Sequence, residues 1–481
     1  MGLHEKCLKA VSEGLELSQT TGIHMFDPIL LYHGATSALG INDYPVAKRL
    51  LEQMTSSLRS FKPWDLCIYH SAKTQEALFQ GDLRQALLHI EQATKLRIET
   101  GFTLITGWCQ IQNAYVMHEL GRHREAEDHL TQAFNFSRDI RGKNNEYAAH
   151  LAQAHFAFGQ GEEQSGLMSL RKAFVLGKEG GYFSTWGPPH PSDTTRLCIK
   201  ALEAGIEVEY VQEFIRRFRI VPDRAALHLE NWPWPLKIYT LGQFRVERDG
   251  NPIQFSRKVQ QKPLSMLKTL IALGGREVQE GKIADALWPE ADGDDAHHSF
   301  VTNLHRLRQL IGHDKAIQLR EGKLTLEDRH CWVDVWAFER LLRQAENEEK
   351  KGSAENVIQF IQKGLEVYRG PFLAGEIEQS WMISLREHSR GQFLRGVTWL
   401  GHYWEKTEQW EKAIGCYQRG LEVDNLGEEF YQGLMNCYQH LGQKAKALSV
   451  YNRCKRILSS TLEIEPSPET EAIYKSLLME S

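Results

Sequence analysis

Glycine-led triplets recur in this chain at a fixed spacing of 40: Gly81-Asp-Leu, Gly121-Arg-His and Gly161-Glu-Glu. Five residues after each glycine stand Ala86, Ala126 and Gly166. Nine residues after stand Ile90, Leu130 and Leu170, and twelve after stand Ala93, Ala133 and Ala173. An earlier unit fits when counted from Asn42, through Ala47, Leu51 and Met54. These offsets fall along one stripe of a helix, with small residues on either side of a large apolar one. A small residue lets a second helix approach closely. One such unit cannot bury its stripe alone, so the units must stack into a solenoid of helix pairs. Residues 1–220 are expected to form this all-helical superhelix, with a concave face for an effector.

A second array ends the chain, with a spacing of 34. Val397-x-x-Leu400-Gly401-x-x-Trp404 leads to Ala413, Tyr417 and Gly420. Tyr431-x-x-Leu434-x-x-x-Tyr438 leads to Ala447, Tyr451 and Cys454. Both runs resemble the tetratricopeptide repeat, and the 40-residue units resemble a slightly long variety of it.

Between the arrays the pattern changes. Asn231-Trp-Pro-Trp-Pro235 and Pro222 stop any helix, so 221–235 reads as a Pro/Trp-rich linker. Leu236, Ile238 and Thr240 then alternate, Phe244 and Val246 alternate again, and Asp249-Gly250 signals a hairpin. Residues 251–255 look like a third short strand. Three helices are expected at about 261–273, 280–288 and 296–311, with an acidic loop, Glu290 to Asp295, before the third. A last hairpin turns at Glu321-Gly322, with Ile317 and Leu319 on one arm and Leu324 and Leu326 on the other. Strands, three helices and a hairpin over 236–332 make a winged helix containing a helix-turn-helix. The fold class is therefore mainly α: two tetratricopeptide-like helical-repeat domains flanking an α+β winged-helix domain.

The third helix advances by about 100° per residue. With Phe300 set toward the core, its opposite face carries His298, Ser299, Thr302, His305, Arg306 and Gln309. The major groove offers acceptors on guanine and a donor–acceptor pair on adenine, which Arg and Gln match. Arg308, at the side of the helix, is expected on a phosphate, as are Arg320 and Lys323 beside the wing turn. Charge by itself says little, because residues 236–332 hold 15 Lys and Arg against 13 Asp and Glu. His297-His298 is not read as a metal site, since adjacent histidines diverge on a helix and Thr302 stands where a second ligand would be needed.

Further motifs bring in a family. Tyr239-Thr-Leu-Gly-Gln-Phe-Arg-Val, Ala286-Leu-Trp-Pro-Glu and Asn303-Leu-His-Arg-Leu-Arg-Gln-Leu-Ile-Gly312 resemble the OmpR/PhoB-type winged helix. Trp332-Val-Asp-Val-Trp-Ala-Phe-Glu339, Tyr368-Arg-Gly-Pro-Phe-Leu373 and Glu465-Pro-Ser-Pro-Glu-Thr470 resemble the bacterial transcriptional activator domain of SARP-class regulators. Residues 1–235 resemble the helical-repeat arm of MalT-like regulators. The resemblance implies domains at 1–220, 236–332 and 333–481, double-stranded DNA bound at direct repeats, and RNA polymerase as a partner. A protein or small-molecule effector would bind the first array. The chain departs from the pattern at the wing, where Gly322-Lys323 replaces the family's Gly-Tyr, and at Gln279, where a Ser or Thr cap is usual. The Gly275 to Ile283 stretch lacks the spacing and hydroxyl of a phosphate loop. The chain is thus expected to lack the ATPase module of larger relatives, either as their C-terminal portion or as a regulator that works without nucleotide.

Other classes are set aside. No nucleophile elbow, zinc-protease motif or dinucleotide fingerprint occurs, so no enzyme activity and no cofactor are expected. A net charge of −5 does not suit a basic nucleic-acid coat. No apolar run reaches 18 residues, the N-terminus has no signal peptide, and the eight Cys form no Cys-x-x-Cys pair. A cytoplasmic chain with reduced thiols is expected. The sequence reads as a sequence-specific DNA-binding transcription regulator, an activator by its resemblance. The alternative is a helical-repeat protein-interaction scaffold whose winged helix does not bind DNA.

Overall fold

In the computed structural model, residues 3–57, 62–101, 106–183, 190–222, 226–255, 261–313 and 315–479 are described. The chain divides into two compact units, 1–233 and 234–481.

The first unit holds α1 (Leu3–Thr21), α2 (Asp27–Gly40), α3 (Tyr44–Ser56), α4 (Pro63–Gln80), α5 (Leu83–Thr100) and α6 (Thr106–Glu119). It continues with α7 (His123–Asp139), α8 (Lys143–Gly159), α9 (Glu163–Gly180), α10 (Pro191–Glu203) and α11 (Val208–Phe218). Helices α2/α3, α4/α5, α6/α7 and α8/α9 pack as hairpins, one for each unit counted in the sequence. Every residue of the predicted stripe is buried, from Ala47, Leu51 and Met54 to Leu170 and Ala173.

The turns show why the glycines recur. Gly81, Gly121 and Gly161 have φ of 72°, 73° and 78°, and Asn42 has 60° in the same place. This left-handed residue lets the next amide reach back over the helix end. Asp43 N donates to Ala38 O at 2.8 Å, and Asp82, Arg122 and Glu162 N reach Ala77, Met117 and Ala157 O at 2.9 Å.

The array curls until its ends meet, with α11 packing on α1. Arg219 donates to Glu5 at 2.7 Å, and the His4 and Phe218 rings stand 5.0 Å apart. The inner helices are consequently covered all round. In α6 every residue from Gly107 to Met117 is buried, as expected for a helix enclosed by its neighbours. A concave face for an effector was expected here. Instead α10 lies against the inner wall: its Arg196 reaches His155 of α8, and His190, at its N-cap, stacks on Phe79 of α4 at 5.2 Å.

The 221–235 segment is not a free linker. Its residues 223–225 lie outside the described residues. Ala226–His228 forms a 3-10 turn, His228 pairs with Glu203 at 3.2 Å, and Asn231 donates to Leu202 O at 2.9 Å. Prolines ended the helical period as predicted, yet the segment found side-chain partners on the array.

The second unit opens with β1 (Leu236–Tyr239), β2 (Arg245–Arg248), β3 (Asn251–Pro252) and α12 (Gln261–Ala272). Then come β4 (Val278–Gln279), α13 (Glu280–Leu287), α14 (Gly293–Ile311), β5 (Ile317–Arg320), β6 (Lys323–Leu326) and β7 (Cys331–Val333). One sheet has the order β3-β2-β1-β7 and the wing sheet β4-β6-β5. The third strand is only two residues long, against the five expected. Helix α14 starts three residues earlier than expected, because Asp292 caps it by accepting from Asp295 N at 3.3 Å. Asp294 and Asp295 thereby fall in its first turn, where acidic side chains suit the helix dipole.

Helices α15 (Asp334–Lys350), α16 (Ala354–Val367), α17 (Ser380–Lys406), α18 (Trp410–Val423), α19 (Glu428–His440), α20 (Lys444–Leu462) and α21 (Pro468–Met479) complete the chain. One apolar core runs from Leu236 and Phe300 through Phe338 and Phe372 to Tyr417 and Leu458. The winged helix and the helical array behind it are thus one packed body.

Candidate nucleic-acid interface

Helix α14 is oriented by burial of Phe300, Leu304, Leu307 and Ile311 in that core. Its outer side exposes His298, His305, Arg306 and Gln309, with Ser299 and Thr302 half-buried. The six residues predicted to face the groove therefore share one face of one helix. Asn303, on the buried side, donates back to Ser299 O at 2.8 Å.

Three further contacts hold the helix in place, and a fourth ties the wing to α13. At its start His297 pairs with Glu280, the first residue of α13, which fixes the two helices of the helix-turn-helix to each other. At its end Arg248 of β2 donates to Ile311 O at 3.3 Å, over the left-handed Gly312. Arg308 donates through Nε and Nη2 to Ile317 O at 3.2 and 3.1 Å. This changes the reading of Arg308 as a phosphate ligand: its guanidinium is engaged in anchoring the wing to α14. Gly322 O accepts from Glu280 N at 2.9 Å, tying the wing turn to the start of α13, where Gln279 supplies no side-chain cap.

The wing turns through Glu321 and Gly322, both with positive φ of 50° and 69°. Such a turn matches the twist of a two-residue hairpin. It sets Arg320 directly opposite Lys323, and both are exposed. Among the described residues neither they nor Arg306 form an ion pair. Three exposed cations are therefore available, Arg306 on the later half of α14 and Arg320 and Lys323 at the wing. The exposed acids Glu290, Asp292, Asp294 and Asp295 crowd the other end of the helix.

Asp334 joins this surface to the helices behind it. Its buried carboxylate accepts from Thr240 N and Oγ1, Leu241 N and Val335 N, all at 2.7–2.8 Å. Burial pushes the Asp334 carboxyl up to about 6, against the downward pull of these hydrogen bonds. The segment Pro371 to Ala374 lies along 240–242: Gly242 N donates to Pro371 O at 3.0 Å and Leu373 N to Thr240 O at 2.7 Å. The backbones of Gly242 and Gly370 approach so closely that a Cβ on Gly370 would lie 3.3 Å from Gly242 Cα. Two sequence motifs, around Asp334 and around Pro371, are thus both clamps on the end of β1.

Residues 333–478 match the bacterial transcriptional activator domain, and this part of the chain is such a domain. The chain is homologous to transcriptional regulators of that class. It is 24% identical over 265 residues to the regulatory protein AfsR of Streptomyces griseus, covering 54% of this chain and 26% of the relative. It is 25% identical over 257 residues to the transcriptional regulatory protein MoaR1 of Mycobacterium bovis, covering 50% and 78%. For the transcriptional regulatory protein EmbR of Mycobacterium tuberculosis the figures are 24% over 258 residues, 50% and 62%. The match spans about a quarter of the length of the AfsR relatives. The solved structure of Mycobacterium tuberculosis EmbR in complex with a low-affinity phosphopeptide is 21% identical, covers 51% of this chain and 66% of that one, and gives a TM-score of 0.41.

The residues that sequence reasoning missed are the supports: Arg248, Glu280, His297 and Asp334. Only Asp334 left a signal, as the single acid in the apolar run Trp332-Val-Asp-Val-Trp336. No helix is long and apolar enough to cross a membrane among the described residues.

Proposed function

We propose that the chain is a sequence-specific DNA-binding transcription regulator, acting as an activator, with α14 in the major groove. The observation that carries this reading is the unpaired, exposed row of His298, His305, Arg306 and Gln309 on a helix fixed to a transcriptional activator domain. The major groove admits one α-helix, and Arg306 offers guanine a bidentate pair of donors. Thr302, between His298, His305 and Arg306 on that face, reads bases with them, and Ser299 lies at the edge of the contact. Arg320 and Lys323 hold phosphates across the wing, and Arg308 acts through the wing it anchors. The acids at the start of α14 keep that end away from the backbone and make non-specific binding weak. Tandem sites on direct repeats, or contact between the activator domain and RNA polymerase, then supply occupancy. The first array takes the effector.

Titration of the full chain on specific and random duplexes at two salt concentrations tests this. Arg306→Ala is expected to lose about 1–3 kcal/mol on the specific site and to relax one position of each repeat. Lys323→Ala is expected to weaken all duplexes alike and to lower the salt slope by about one. Unchanged specific binding by a folded Arg306→Ala protein refutes the placement of α14. Failure of the parent to bind any duplex leaves the protein-interaction scaffold.

A further inference from the structure

The inner wall of the first array holds the one group of at least three His, Cys, Asp or Glu side chains, among the described residues, that converges tightly enough to ligate a metal ion. His118 and Glu119 end α6, and His155 projects from the neighbouring α8. One potential ligand atom from each lies within 4.8 Å of the other two. Glu119 Oε1 is 3.6 Å from His155 Nε2. The His118 and His155 ring centres are 5.9 Å apart, and the His123 ring, at the start of α7, stands 5.1 Å from that of His118.

The chemistry of these groups suits a cation. His118 Nδ1 is buried with no hydrogen-bond partner, which is a costly arrangement for a polar atom. Two imidazoles and a carboxylate are ligand types that a zinc-class ion takes. The site lies at the C-terminal end of α6, where the helix dipole favours positive charge. Gly159 of α8 leaves the His118 ring room to turn, since a Cβ there would sit 3.3 Å from its Nε2. Around a tetrahedral zinc ion the ligand atoms would stand about 3.4 Å apart, so the cluster needs to contract by roughly 1 Å.

A cation is already beside this cluster. Arg196 of α10 donates to His155 Nδ1 at 3.0 Å and lies 3.6 Å from Asp193. A guanidinium only donates, so Nδ1 accepts and the His155 proton sits on Nε2. A metal at Nε2 requires that proton to move to Nδ1, which ends the bond from Arg196 and leaves the guanidinium to Asp193.

We propose that His118, Glu119 and His155 bind a divalent transition-metal ion of the zinc class, displacing Arg196 and so coupling metal occupancy to α10. Nitrogen ligands favour this class over calcium or magnesium. His123 lies outside the three-ligand group, beside His118, and would have to swing in to supply a fourth ligand; the exposed side of Glu119 provides the entrance. The proposal goes beyond the regulatory reading by naming the chemistry of the effector, and it stands or falls without DNA.

The test uses the metal-free full chain, titrated with Zn2+ against a chromophoric chelator, with Co2+ absorption as a second readout. One tight equivalent and a tetrahedral Co2+ spectrum are expected. His118→Gln, at a half-buried position, and Glu119→Gln should each weaken that equivalent at least about tenfold, by analogy with the 10–100-fold loss when a metal's supporting groups are removed. Circular dichroism establishes that each variant is folded. Zn2+ should raise the unfolding temperature of the parent and not of His118→Gln. Arg196→Gln should bind Zn2+ more tightly than the parent. Binding that is weak, spread over many sites or unchanged in a folded His118→Gln protein overturns the site. Equal or weaker binding by Arg196→Gln overturns the displacement.

Discussion

The two helical arrays are written in the same local code and fold into different objects. Counting starts at the left-handed turn residue, which is Asn42, Gly81, Gly121 or Gly161 in the first array and Glu408 or Gly442 in the second. Five residues on, both arrays bury alanine or glycine, as at Ala86 and Ala413. Nine residues on, the first buries Leu51, Ile90, Leu130 and Leu170, and the second buries Tyr417 and Tyr451. The larger ring needs space, and Gly401 and Gly433 give it: a Cβ on either would lie 2.4 Å from the Tyr417 ring.

The other faces separate the two. Among the described residues, unit 1 buries fourteen polar or charged residues and unit 2 six. The first array closes on itself and sets polar side chains such as Gln110, Gln112, Asn113 and His155 among the alanines and leucines of its interior. The second continues its apolar core into the winged helix. A hairpin code therefore specifies hairpins, and the residues off the stripe decide what the hairpins pack against.

The largest expected effect tests the shared core. Phe338 is fully buried between the two halves of unit 2, its ring 5.5 Å from that of Tyr368. Phe338→Ala should destabilise unit 2 by about 3–5 kcal/mol and leave unit 1 unchanged. Calorimetry of the full chain beside its 1–233 and 234–481 fragments reads this. Separate melting of the winged helix and the activator domain in the parent would break the comparison.

Acid should divide the units next. Burial lowers His4, His33, His70, His118, His129 and His150, and burial with the neighbouring His70 lowers His89, all in unit 1. The unfolded chain, with histidine near 6.5, then binds more protons than the folded one between about pH 4 and 6.5. The stability these groups contribute is complete above about 6.5 and is lost as pH falls toward 4. Asp334 in unit 2 has the opposite sign. Its folded value of about 6 exceeds the unfolded 3.8, so its contribution improves as pH falls through 6 toward 4. Urea titrations of the two fragments at pH 7 and 5 should show unit 1 losing more. An equal loss removes the distinction drawn from the buried histidines.

The smallest effect sharpens the shared code. Asn42→Gly in the first array and Glu408→Gly in the second relieve left-handed backbone at φ of 60° and 56°. Each should stabilise its unit by at most about 1 kcal/mol. Destabilisation at either position, by thermal melting, would show that the side chain there does more than turn the chain.

Much of the candidate interface was legible because α14 is amphipathic: setting Phe300 inward placed His298, His305, Arg306 and Gln309 outward, whatever the neighbours. Arg308 was misread for the same reason. Helical angle gave its direction, but the carbonyl of Ile317 that receives it comes from another strand. The early start of α14 was available in principle, since Asp292 is a good cap, but acids before a helix also read as a loop.

What the sequence determined by itself is therefore local and periodic: the hairpin units, their left-handed turns, the winged-helix elements and the polar face of α14. Each follows from spacing within a few turns of chain and needs no distant partner. Tertiary structure alone decided the closure of α11 on α1 and the packing of α10 against the inner wall. It alone brought His118, Glu119 and His155 together and made Asp334 the acceptor for the end of β1. These depend on the summed curvature of many hairpins and on contacts between residues 36 to 214 positions apart. Such distances are set by how whole helices stack, and no short window of sequence carries that information.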